Sequence, residues 1–82
     1  LPADALALAA LGWVLSDAPR AERFLALTGL TPDALRESLE APETQRAVLE
    51  FLCGHEPDLV AAAEAIGVQP TYLSRALQEL AA

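Results

Sequence analysis

Cys53-Gly54-His55-Glu56 brings a thiol, an imidazole and a carboxylate within four residues of sequence. Such a set could serve nucleophilic catalysis, with the imidazole drawing a proton from the thiol, or could bind zinc. Neither use survives the spacing. A structural zinc site needs four ligands, and the chain holds no second Cys or His. Residues two apart on a helix point in different directions, and an acidic neighbourhood does not lower a thiol pKa. Cys53 reads instead as a small buried hydrophobe, and His55 as a residue near the C-terminal end of a helix, where positive charge is favoured.

The carboxylates lead no further. Glu37, Glu40 and Glu43 bracket one helix corner, and Glu56 with Asp58 opens another helix. Acids near helix starts complement the helix dipole and keep an apolar chain dissolved, which accounts for Asp33, Glu43 and Asp58 without catalysis. There is no phosphate loop, dinucleotide glycine motif or triad-like set. The expectation is a protein that is not an enzyme, with no cofactor and no metal.

The sharpest functional pattern lies in the last third. Ala63-Glu64-Ala65-Ile66-Gly67-Val68-Gln69-Pro70-Thr71-Tyr72-Leu73-Ser74-Arg75 resembles the helix-turn-helix of bacterial transcription regulators. Ala63 would let two helices approach, Gly67 would make the corner, and Leu73 would pin the second helix to the core. A major groove would then meet Gln69, Thr71, Tyr72, Ser74, Arg75 and Gln78. Charge argues against this use. Residues 56–82 hold one Arg against four acids, whereas a stable specific complex uses ~6 to 10 phosphate contacts. Gly67 and Val68 make a corner whether or not DNA is bound, and Gly29 and Leu30 make another.

Composition sets the frame for these residues. Ala (18) and Leu (16) fill 34 of 82 positions, while Val, Ile and Thr together supply nine. Helix formers dominate and little is left for a sheet. An apolar fraction of 54% excludes disorder, and the length suits a single helical domain over residues 1–82. Five Arg and no Lys stand against twelve acids, for a net charge of −7. The halves on either side of residue 41 are both acidic, so no basic pole is hidden, and nucleic acid and anionic membranes are disfavoured as partners. The longest uncharged stretch, residues 5–16, is twelve residues, short of the ~18 to 20 of a membrane span. A lone cysteine cannot form an internal disulfide, which fits the cytoplasm. The chain begins at Leu1 rather than Met, which leaves a native N-terminal extension as a further place for functional residues.

Proline and glycine mark where the helices must start and stop. Pro2, Pro19, Pro32, Pro42, Pro57 and Pro70 each head an apolar-periodic stretch, the position where a proline costs no intrahelical hydrogen bond. The punctuation predicts helices near residues 3–16, 18–28, 32–40, 42–53, 57–66 and 70–80, joined by short connections. Leu8, Leu11 and Leu15 with Trp13 and Val14, then Ala21, Phe24, Leu25 and Thr28, then Val48, Phe51, Leu52 and His55, then Leu59, Ala62, Ala63 and Ile66 follow helical spacing. Gly29-Leu30-Thr31-Pro32 and Gly67-Val68-Gln69-Pro70 share one corner signature, 38 residues apart. In each, glycine closes one helix and a polar residue caps the next, while Leu30 with Leu35, or Val68 with Leu73, forms a hydrophobic staple. The fold expected is all-α, a compact orthogonal bundle of five or six short helices. Its core would hold Trp13, Phe24, Leu35, Leu39, Phe51, Leu52, Ile66, Leu73 and Leu77.

Arg23-Phe24-Leu25-Ala26-Leu27-Thr28-Gly29-Leu30, Leu35-Arg36, Val48-Leu49-Glu50-Phe51-Leu52, His55-Glu56-Pro57 and the approach from Ala63 to Gly67 resemble an alphaproteobacterial family of short, functionally uncharacterised helical proteins. The likeness spans roughly residues 5–70, and the tail beyond it is closer to the regulators. The resemblance implies a cytoplasmic bacterial helical protein and transfers no catalytic or ligand-binding residue. From the residues themselves, the first helix carries surplus apolar surface, with Leu6, Leu8, Leu11, Trp13, Val14 and Leu15 nearly encircling it. Leu6, Leu8 and Trp13 are therefore expected at an apolar interface with a protein partner or within a homo-oligomer.

Overall fold

The computed structural model covers residues 1–82 and consists of α1 (Ala3–Leu15), α2 (Ala18–Thr28), α3 (Pro32–Glu37), α4 (Pro42–Cys53), α5 (Glu56–Ile66) and α6 (Pro70–Ala81), with no strand. Every helix except α3 starts and stops within one residue of the bounds read from proline and glycine. Pro19, Pro32, Pro42, Pro57 and Pro70 sit in first turns, and Pro2 stands just ahead of α1 as its N-cap. Gly29 and Gly67 take left-handed backbone (φ 74° and 86°) and end α2 and α5. Thr31 Oγ1 accepts the Ala34 N–H at 3.1 Å, capping α3, whereas Gln69 makes no side-chain cap on α6. Leu35 and Leu73 are buried beyond the two corners, with Leu30 and Val68 packed against the same core, as the staples require.

α3 is shorter than the spacing suggests, ending at Glu37 rather than near residue 40. Pro42 holds Ala41 in extended backbone (ψ 129°), so the chain must leave the helix before it. A polar knot then fixes the turn. Thr44 Oγ1 donates to Ser38 Oγ at 2.9 Å, and Gln45 Nε2 donates to the Leu39 carbonyl at 3.1 Å. Thr44 and Gln45 are the two buried polar residues, and their hydrogen bonds offset the cost of that burial.

The helices close around α1, which packs against α2, α4, α5 and α6. Its buried residues are Leu6, Ala7, Ala10, Leu11 and Val14. Ala62, Ala63 and Ala76 meet them from α5 and α6, small side chains that let helix backbones approach closely. Phe24 is fully buried and meets Phe51 edge to face, ring centroids 5.4 Å apart, a favoured aromatic geometry. Of the expected core, Phe24, Leu35, Leu52 and Leu73 are buried, while Trp13, Leu39, Phe51, Ile66 and Leu77 are half-buried at its edge. Leu8 and Leu15, which share helical spacing with the buried Leu11, are exposed.

Ala10 is fully buried on the face of α1 that meets its neighbours. Ala10→Leu should destabilise the fold by about 1 to 3 kcal/mol through overpacking, although Leu forms helix nearly as well as Ala. Ala9→Leu, one residue earlier on the exposed side of the same helix, should change stability by no more than about 0.5 kcal/mol. Urea unfolding of the two variants checks the pair, and equal effects would contradict this account of α1.

Candidate functional site

The Cys53–His55 segment spans the turn from α4 to α5. Cys53 is the half-buried last residue of α4, Gly54 follows it as C-cap, and His55 is exposed at the head of α5. His55 was expected in the apolar stripe of the fourth helix and near its C-terminal end; the chain instead turns at Gly54, placing His55 as N-cap of the next helix. Its Nδ1 lies 3.0 Å from Asp58 Oδ2, which also accepts from Arg23 Nη2 at 2.6 Å. Arg23 comes from α2 and lies over the Phe51 ring, 5.1 Å from its centroid. These groups tie α2, α4 and α5 together, and no three His, Cys, Asp or Glu side chains gather as a metal site.

α6 presents the face that the helix-turn-helix pattern singles out. Gln69, Thr71, Tyr72, Arg75 and Gln78 are exposed, Ser74 is half-buried, and Leu73 and Ala76 point into the core. Arg75 stacks over Tyr72 with its guanidinium carbon 5.8 Å from the ring centroid. Leu1 and Ala3 line a shallow depression with Tyr72 and Arg75, so the N-terminal residues run beside this face. The remaining arginines are engaged elsewhere. Arg23 and Arg36 pair with Asp58 and Asp33, and Arg46 donates to the Leu80 carbonyl. Arg20 lies on Trp13 and donates to its carbonyl.

The expected apolar face of α1 is rearranged by packing. Leu6 is 5% exposed and belongs to the core, reaching the surface only within the depression beside Tyr72 and Arg75. Trp13 is half-buried, and the Arg20 guanidinium covers its ring at 3.5 Å, a cation–π contact that leaves little bare indole. Leu8 remains outside, together with Leu15.

A groove that sequence reasoning missed lies between the end of α2 and one side of α4. Leu27, Leu30, Ala47 and Phe51 supply its apolar lining, and Glu43, Thr44, Glu50 and Thr28 its polar one, around a volume of about 470 Å³. Leu27 is 72% exposed, the most exposed large hydrophobic residue after the terminal Leu1. α4 buries Thr44, Gln45, Val48, Leu49 and Leu52, and Glu43, Ala47 and Glu50 form the neighbouring stripe that turns to the groove. The spacing of 43, 47 and 50 held this signal. Helical periodicity alone places those residues on one side of α4, but not beside Leu27.

The family model described as "Protein of unknown function (DUF3572)" matches residues 2–82. The chain belongs to this family. The DUF3572 match runs through α6, including the tail that the sequence set closer to the regulators, so both corners lie within one family pattern. No match was found among curated proteins or among solved structures.

Proposed function

We propose that this chain is a protein-recognition module without catalytic activity, working in the bacterial cytoplasm by docking on another polypeptide or by self-association. The observation that carries the reading is the groove between α2 and α4. Exposed leucines scattered singly over a surface are ordinary; an exposed leucine at the rim of a groove lined by Leu30, Ala47 and Phe51 is a contiguous apolar patch. Leu8 is exposed on α1, and Leu15 lines a second apolar depression with Leu25, Pro32, Leu35 and Leu39. No helix is long and apolar enough to cross a membrane, and the lone half-buried thiol fits a reducing compartment.

Sedimentation at rising concentration, paired with affinity capture from native extract, tests the reading on the wild type and on Leu27→Asp. Leu27 is too exposed to hold the fold, so the variant should fold normally and lose an oligomer or a captured protein. Monomers in both cases, with identical captured sets, would contradict it.

A second reading keeps a specific observation behind it, the exposure of Thr71, Tyr72, Arg75 and Gln78 above a buried Leu73. In that reading the segment 63–80 is a degenerate helix-turn-helix regulator, reading bases from α6. Only Arg75 is available to phosphates from that segment, so dimerisation or a basic extension would have to supply the rest. The expected outcome is no binding of the chain to random duplex DNA at ~150 mM salt, where working regulators bind nonspecifically at ~10⁻⁴ to 10⁻⁶ M. Titration of labelled duplex at falling salt checks this, and a complex that strengthens steeply and vanishes with Arg75→Ala would establish the second reading.

A further inference from the structure

We infer that the occupant of the α2–α4 groove is a basic amphipathic helix of a partner protein, its apolar stripe on Leu27, Ala47 and Phe51 and its Lys or Arg residues on Glu43 and Glu50. The inference rests on the protein-recognition reading and adds the chemistry of the partner. Three observations give the charge. Glu43 and Glu50 are exposed and form no ion pair within the chain, although Glu43, in the first turn of α4, also faces that helix's positive dipole end. They are seven residues apart on one side of α4, about 10.5 Å along the helix, the distance between side chains two turns apart on a helix laid alongside. The third source is α2, whose last two residues, Leu27 and Thr28, line the groove. Its last turn has no basic side chain, so the negative end of the helix dipole meets no cation there, although Thr28 Oγ1 donates to the Phe24 and Leu25 carbonyls.

No arginine lines the groove. The nearest in sequence on α4, Arg46, is turned to the Leu80 carbonyl, and Arg23, which covers the Phe51 ring, is committed to Asp58. A second copy of this chain is a poor occupant, because each copy carries −7 and brings its own acidic groove to the contact. Nucleic acid and anionic lipid are repelled by the same glutamates. A cationic helix gains on both counts, burying leucines on the apolar lining and placing positive charge at the two rim carboxylates, the helix-in-groove mode of recognition.

Two synthetic helical peptides test the assignment. Both carry Leu at i, i+3, i+4 and i+7; one has Lys at the flanking positions and its twin has Glu at the same places. Fluorescence anisotropy with the full chain should show the Lys peptide binding at least about tenfold more tightly than the Glu peptide, and weakening as salt rises. Glu43→Gln with Glu50→Gln should weaken the Lys peptide by about fivefold or more, and Leu27→Ser should do the same through the apolar lining. Glu56→Gln with Glu64→Gln removes equal charge from the exposed side of α5 and should leave binding within about twofold, separating the groove from the general attraction of an acidic protein. Equal binding of the two peptides, or equal loss from the α4 and α5 variants, would overturn the assignment. A Leu27-dependent oligomer or captured partner found together with that result would leave the protein-recognition reading standing and remove only the basic helix.

Discussion

Everything in this fold depends on a thirteen-residue helix having neighbours on most of its circumference. α1 packs against four of the other five helices, which is possible only because Ala7 and Ala10 take almost no room where the backbones approach. Leu11 and Val14 then fill the space toward the C-terminal end of the helix, and Leu6 the space toward its start. The alanines that make the composition look featureless are therefore the residues that set the spacing of the bundle. α3 is the converse case. It contributes one buried side chain, Leu35, and is held chiefly by its Thr31 cap and the polar knot of Ser38, Thr44 and Gln45.

The helix ends were legible because proline and glycine act locally. A first-turn proline or a left-handed glycine fixes backbone within one or two residues, and no tertiary contact is needed to read it. α3 shows the limit of that reading, since it ends at Glu37, five residues before Pro42, and Gln45 takes the Leu39 carbonyl from across the turn. The inward face was legible in α2 and α6, where Phe24 and Leu25, and Leu73, Ala76 and Leu77, recur at helical spacing, although Leu27 breaks the pattern on the outside of α2. It was not legible in α1. Apolar residues surround that helix, so spacing could not distinguish Leu6, Ala7 and Ala10, which are inside, from Leu8 and Leu15, which are outside. Large side chains drew the expectation, and small ones won the central positions because four helices had to fit.

The candidate surfaces divide along the same line. The α6 face was readable because the corner chemistry around Gly67 orients the following helix, and Thr71, Tyr72, Arg75 and Gln78 emerge together on the outside. The α2–α4 groove joins residues from Leu27 to Phe51 through packing that no periodicity contains. Electrostatics links the two. Four of the five arginines are spent within the chain, on Trp13, Asp58, Asp33 and the end of α6. What the surface offers to a partner is consequently acidic and apolar.

Native-state hydrogen exchange tests the central claim that α1 is the helix on which the others close. Amides of residues 10–14 in α1 and 48–52 in α4 should exchange only through global unfolding, while those of α3 exchange at least about 100-fold faster through local opening. Exchange from the middle of α1 as fast as from α3, with protection confined to α4 and α6, would contradict it.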